Sequence, residues 1–318
     1  MADSNFDSLV VAGVPTVGMG QMIAGNVYWV NSATGSDTND GVYGRSKDKP
    51  FDTIDYAIGI ASADGQASKG AVIYVLPGHA ETGTAAAFID IDVAGISLVG
   101  LGNGNNKPTI TLGTATTTDI DIDADNVLLK NFRFVGDIDS LAAFIDCNSN
   151  YFTIEDCEFV TSSTKEAVCF IDMATTKDYL TVRRCRFEQP TDPAGSDQGA
   201  GTGGIYLVDS EYVLVQDCLF VGNFETACIH NKTTACKYLV VERCYMYQAL
   251  SSGVPIELVT ASIGVVKESF LHTPAEVAAT EGTLFGTFGD AFFIAASTSA
   301  GNDGAAGGQG GIVATAAS

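Results

Sequence analysis

One eleven-residue phrase recurs along the chain: YFTIEDCEFVT at 151–161, YLTVRRCRFEQ at 179–189, YVLVQDCLFVG at 212–222 and YLVVERCYMYQ at 238–248. Aligned on the cysteine, Cys157, Cys185, Cys218 and Cys244 fall in register, and the same frame captures Leu101, Phe132 and Ser269. The successive intervals are 31, 25, 28, 33, 26 and 25 residues. A period in that range is the signature of a solenoid, in which each repeat buries its apolar face only by stacking on the next.

Within a phrase the apolar residues alternate, pause for two positions and alternate again. Leu180 and Val182 point in, Arg183 and Arg184 make a corner, and Cys185 and Phe187 point in again. A third short strand precedes each phrase, as in AAFIDID at 86–92, TDIDIDA at 118–124 and AVCFIDM at 167–173. Three strands and three corners per turn of chain, with few helical stretches to serve as crossovers, predict an all-β fold: a single-stranded, right-handed parallel β-helix. A leucine-rich horseshoe requires a regular leucine-asparagine consensus, which does not recur here. The insertion TDPAGSDQGAGTGG at 191–204 accounts for the 33-residue interval as a corner loop.

The stacked cysteines read as an internal ladder of small apolar thiols. A metal or redox centre would need a C-x-x-C pair or histidine neighbours, and neither accompanies them. Cys147, Cys169, Cys228 and Cys236 are expected to pack in the coils in the same way.

The solenoid ends need protection from edge pairing. At 52–65, DTIDYAIGIASADG predicts a short capping helix with Asp52 at its start, Ile54, Ala57, Ile58 and Ala61 on one face, and Gly65 at its end. The expected organisation is an extended arm over 1–25, a β-helix over 26–284 with its capping helix near 52–64, and a closing segment with a Gly/Ala-rich tail over 285–318. Phe285, Phe288, Phe292 and Phe293 are placed to close the final coil or to bury between subunits.

The stretch VYWVNSATGSDTNDGVYGRSKDKPFDTIDYAIGIA followed by AVIYVLPGHAETG resembles the opening segment of pectate-lyase-like right-handed β-helix proteins. It has a first strand, a G-S-D-x-N-D-G loop, a K-P-F-x-T-I helix start and a strand into P-G. With the later coils the resemblance runs from about residue 26 to 275. It implies the fold but no single activity, because that group includes lyases, hydrolases, epimerases and virion proteins. More narrowly, the leading GVPTVGMGQM joined to this segment is similar to β-helix proteins of tailed bacteriophages. That similarity implies a structural virion protein, a homotrimer decorating the outside of the head through its N-terminal arm. Its partner is then the major capsid protein or another shell protein.

Charge and composition narrow the partners. The 38 acidic residues against 16 basic ones give a net charge of -22, which opposes a nucleic-acid partner and repels acidic polymers. The N-terminal stretch has no basic n-region, and Gly13, Pro15, Gly18 and Gly20 interrupt its apolar run, so neither a signal peptide nor a membrane span is expected. The expected location is the virion surface after synthesis in the host cytoplasm. An adhesin would need export.

The best candidate site is TDIDIDAD, where Asp119, Asp121, Asp123 and Asp125 alternate with apolar residues and share an outward face. In the repeat frame Asp121 stacks between Asp90 and Asp146, and Asp123 between Asp92 and Asn148. Such a ladder is either a hydrated acidic face or a Ca²⁺ site, with Asp90, Asp121, Asp123 and Asp146 as its ligands. No cofactor is otherwise expected. Arg183, Arg184 and Arg186 form a basic patch expected to pair with Glu166, Asp178 and Glu188, and His79, His230 and His272 are isolated along the chain. Outward aromatic platforms for sugar stacking are scarce. With no catalytic constellation legible, the expectation is a protein that is not an enzyme. The alternative is a phage tailspike or a polysaccharide lyase or hydrolase working along the β-helix flank.

Overall fold

The computed structural model describes residues 10–11, 14–15, 25–161, 165–190, 203–231, 234–249, 254–258, 262–273, 291–295 and 298–301. The strands run in three parallel sheets of ten, nine and seven strands, beside a separate antiparallel pair of Val10–Val11 with Val14–Pro15. The first sheet starts at Val27–Val30 and runs through Val72–Val75, Ser97–Gly100 and Leu128–Lys130 to Ile263–Lys267 and Ala291–Ala295. Consecutive strands of each phrase fall in different sheets: Thr181–Arg183 lies in the first and Arg186–Glu188 in the second, while Ile171–Met173 lies in the third. This is the parallel β-helix that the repeat predicts.

Alternation decides what the barrel encloses. Phe134, Phe159, Phe187 and Phe220 stack coil on coil along the second sheet, with ring centroids 4.9, 4.9 and 4.5 Å apart. Phe144 and Phe170 stack at 5.1 Å from the third sheet and meet that column edge-on. Parallel register repeats the same geometry at each strand spacing, so like residues meet like and the core grows as a set of columns.

The cysteine column is one of them. Cys157, Cys185, Cys218 and Cys244 are at most 3% exposed, and all eight cysteines are free and buried. Each of the four thiols donates to the carbonyl two residues back, at 3.2 to 3.4 Å. Burial pushes the Cys185 thiol well up, and that of Cys147 up to about 11, so neither supplies a thiolate near neutrality. Ser269 ends the column, its Oγ accepting the Cys244 N–H at 3.1 Å and donating to the Lys267 carbonyl at 2.9 Å.

The corner between the two strands of each phrase is made by Asn131, Asp156, Arg184, Asp217, Arg243 and Glu268, all left-handed with φ of 50 to 63°. Their side chains alternate in sign from Asp156 onward and pair between coils: Arg184 Nε reaches Asp156 at 2.7 Å and Arg243 Nε reaches Asp217 at 2.7 Å. Lys130 joins Glu155 at 3.1 Å and Lys267 joins Glu242 at 3.2 Å. The expected basic patch thus has other partners. Arg183 and Arg184 face Glu155 and Asp156 of the preceding coil, and only Arg186 takes an expected one, Glu188. In a solenoid the neighbour across a strand spacing is nearer than most residues close in sequence.

Helix α1 (Ile54–Ala63) covers the open first coil, burying Ile54, Ala57, Ile58 and Ala61 as the spacing requires. Its N-cap is Thr53 rather than Asp52, and the Thr53 hydroxyl accepts the Tyr56 N–H. Asp37, from the G-S-D loop, accepts the N–H groups of Asp52 and Thr53 at 2.8 and 3.2 Å and the Thr53 hydroxyl at 2.7 Å. Glu81 accepts the Ile54 N–H at 2.8 Å and lies 2.7 Å from His79 Nε2. His79 Nδ1 accepts the Ser32 N–H at 2.9 Å, which leaves the ring proton on Nε2, facing Glu81. His79, isolated in sequence, is therefore a buried clamp between the first coil and α1. No helix among the described residues is long and apolar enough to cross a membrane.

Candidate functional site

The third sheet places one column of polar side chains on its outer face. Its register pairs Asp90 with Asp121, Asp121 with Asp146 and Asp146 with Asp172, then Tyr206, His230 and Glu257. Each of the four aspartates is flanked by inward apolar residues, such as Ile89 and Ile91 around Asp90 and Ile145 and Cys147 around Asp146. Seven residues at about 4.8 Å per step make a track about 29 Å long. Tyr206 and His230 are neighbours along it, with ring centroids 4.9 Å apart and planes tilted by 33°.

The acidic end is the most perturbed part. Carboxylate oxygens of Asp119, Asp121 and Asp146 lie within 4.8 Å of one another, all three side chains half-buried. Burial first, then repulsion from Asp119, Asp146, Asp123 and Asp90, raises the Asp121 carboxyl to about 7. Burial also raises Asp119, against the pull of the Ala87 N–H that its Oδ1 accepts at 2.6 Å. Asp90 is raised by burial and by Asp92, Asp123 and Asp55, the last from α1. Near neutrality Asp121 is thus divided between a proton donor and a carboxylate, the condition for general acid catalysis.

The raised groups set a pH dependence of stability. Between about 4 and 7 the unfolded chain releases the Asp121 proton while the folded chain keeps it, so stability falls as pH rises through that window and levels off above it. Asp156 and Asp217, held low by Arg184 and Arg243, act in the opposite sense and lose their contribution only as pH falls below about 4. Thermal melts are expected to show a midpoint that declines from pH 5 to pH 8.

Of the four carboxylates that the Ca²⁺ alternative would use, Asp121 and Asp146 belong to this trio and Asp90 and Asp123 do not. Asp123 is exposed and accepts a bond from Asn148 Nδ2 at 3.1 Å. A hard cation at this place would draw its oxygens from Asp119, Asp121 and Asp146. Asp119 could be placed on the outward face from sequence, but its approach to the next coil depends on side-chain reach.

The outward aromatics also differ from expectation. Tyr151, Tyr179, Tyr212 and Tyr238, the leading residues of the four phrases, are between 39 and 49% exposed. They stack face to face at 4.4, 4.8 and 4.7 Å. All four have φ near +60°, which swings the side chain out of the strand alternation and onto the corner. Because each ring covers its neighbour, the row presents edges and hydroxyls to solvent rather than open faces.

No protein-family model matches the chain, and no curated protein matches it in sequence. Among solved structures it is similar to a rhamnogalacturonan lyase at 13% identity and a TM-score of 0.55, over 78% of this chain and 69% of that one. It is also similar to a deglycosylated pectin methylesterase from Aspergillus niger, at 15% identity and a TM-score of 0.50, over 94% of this chain and 93% of that one. At such identities the likeness is one of fold. The expectation of a protein that is not an enzyme is corrected to this extent: two solved structures that share the architecture are a lyase and an esterase, so the fold gives no ground for excluding an enzyme. That expectation rested on catalytic spacings within the chain, whereas a solenoid assembles carboxylates from different coils. Three parallel sheets, a helix-capped first coil and these structural likenesses make the chain a right-handed parallel β-helix of the pectate-lyase-like fold.

Proposed function

We propose that the chain acts on a polysaccharide laid along the outer face of the third sheet, hydrolysing it with Asp121 as proton donor and Asp146 as its partner carboxylate. The observation that carries this reading is the single column running from Asp90 to Glu257, with a carboxyl raised to about 7 inside the trio of Asp119, Asp121 and Asp146. Carboxyl groups about 5 Å apart suit a nucleophile and acid pair, whereas a wider gap leaves room for an attacking water. The column holds neither Lys nor Arg, and its histidine, His230, lies three strand spacings or about 14 Å from Asp146, which favours hydrolysis at the trio over proton abstraction there by a basic residue. The acidic track and a net charge of -22 favour an uncharged or ester-blocked saccharide over a free polyuronate.

The lyase and the esterase of similar fold support a saccharide-acting reading. Head decoration and a shell partner rest on the N-terminal arm, of which only Gly25 and the backbone of 10–11 and 14–15 are described, and the trimer rests on the similarity to phage proteins. They supply no observation to set against the column.

The test is release of reducing ends from a panel of neutral glycans, highly methyl-esterified pectin and de-esterified polygalacturonate, with product mass read by mass spectrometry. Hydrolysis of an uncharged or esterified polymer is expected, and polygalacturonate should resist. Unsaturated products would replace hydrolysis with elimination, and no product on any polymer would remove the enzymatic reading.

A further inference from the structure

The corner between the third and first sheets carries the row of Tyr151, Tyr179, Tyr212 and Tyr238, which the saccharide reading leaves unused. Each lies between a strand of the third sheet and one of the first, as Tyr151 does between Ile145–Cys147 and Thr153–Glu155. Hydrogen bonds between coils fix the row: the Tyr151 N–H donates to the Asp178 carbonyl, that of Tyr179 to Glu211 and that of Tyr212 to Lys237, each at 3.0 Å. With φ of 58 to 64° at all four, the rings leave the backbone in the same direction, and neighbours lie within 5 to 17° of parallel.

Two features set the row apart chemically. Among the described residues it is the only place where one phenol stacks on another: Tyr245 stacks on Phe270, Tyr247 on His272, and Tyr74 packs against Trp29. It also holds its oxidisable groups open to solvent. The eight cysteines are buried, and Trp29, Met173 and Met246 are at most 1% exposed, whereas all four phenols are well exposed. A one-electron oxidant at the surface of the described coils therefore meets a tyrosine before any thiol, thioether or indole, because such attack follows exposure.

We propose that the row is a site of oxidative modification, at which a one-electron oxidant of the kind a haem peroxidase generates from hydrogen peroxide joins tyrosines of consecutive coils. Two neighbouring phenols each give one electron and the hydroxyl proton to the oxidant and become phenoxyl radicals. The radicals pair through ring carbons ortho to oxygen: one C–C bond forms, two ring C–H bonds break, and protons return to the two oxygens. The phenols are restored, the pair has lost two hydrogens in all, and one peroxide has become two waters. Parallel rings at 4.4 to 4.8 Å keep the second phenol beside the first, which favours coupling within one chain over collision between chains. The tyrosines are separated by 28, 33 and 26 residues, the same intervals as the cysteine column, so each link closes one turn of chain and ties a coil to the next.

The test treats the folded full chain, at low concentration, with a haem peroxidase and hydrogen peroxide and reads dityrosine fluorescence, gel mobility and intact mass. Blue dityrosine emission should appear on a product that still runs as a single chain, lighter by two hydrogens per link. Proteolysis and mass spectrometry should join the peptide of Tyr151 to that of Tyr179, Tyr179 to Tyr212 or Tyr212 to Tyr238. Tyr179→Phe with Tyr212→Phe breaks every neighbouring phenol pair while keeping rings at each rung, and should remove nearly all of the intrachain product with the β-sheet circular dichroism unchanged. If that variant loses its fold, oxidation of the native chain in urea decides, because links between consecutive coils should give way to other tyrosine pairs once the coils are undone. An oxidised chain without dityrosine, links only between chains, or undiminished intrachain product in the folded double variant would each overturn the proposal. The same peptide links formed in urea would also overturn it, by showing that the stacked row does not direct them.

Discussion

Cys218→Asp is expected to leave little folded protein at pH 7, whereas Cys218→Ser and Cys218→Ala fold. Cys218 lies between Cys185 and Cys244 in the buried column, and its Sγ donates to the Gln216 carbonyl at 3.2 Å. An aspartate there either ionises without a partner or stays protonated by lifting its pKa about 3 units, at about 4 kcal/mol. That is a large part of the 5 to 15 kcal/mol that about one domain has in hand. Serine is already native to the column, since Ser269 satisfies its hydroxyl as acceptor and donor at the last rung. Alanine removes the sulfur and should cost about 1 to 2 kcal/mol. Urea denaturation followed by circular dichroism separates the three variants, and equal stabilities would show that the column is not a packed interior.

Asp121→Asn should lower saccharide hydrolysis by about 10² to 10⁴-fold, the usual contribution of a general acid, and at the same time raise the thermal midpoint above pH 7. The second effect follows from the same crowding that tunes the acid. An amide at this position no longer meets the charges of Asp119 and Asp146. The variant should also lose most of the decline in midpoint between pH 5 and pH 8. Lost activity with a lowered midpoint would point to structural damage, and full activity would exclude Asp121 as the donor.

The fold was legible because the alphabet of a solenoid is its repeat. Phe187, Cys185 and Val182 declare their inward positions by period alone, and the alignment on cysteine already placed Asp121 between Asp90 and Asp146. What sequence could not show are the places where side chains leave the strand pattern. Tyr179 precedes its strand and reads as part of it, yet a left-handed backbone at φ 64° turns its ring outward. Asp119 joins Asp121 and Asp146 only through the reach of its carboxyl across a coil. His79 and Glu81 are two positions apart, the first just before the strand that holds the second, but their roles come from Ser32 and Ile54, far away in the chain. In each case the missing information is distance between coils, which no spacing along a single strand carries.

The alternating corner has a consequence for how such a chain finds its own order. Four nearly identical phrases could stack with one coil skipped, and the aromatic and thiol columns would accept the error, because their rungs are alike. The corner would not. Skipping the coil of Arg184 sets Asp156 against Asp217, and skipping that of Asp217 sets Arg184 against Arg243. Like charges then meet where opposite ones belong. The core supplies cohesion without addresses, and the exposed row of alternating signs works as a key that refuses a single skipped coil.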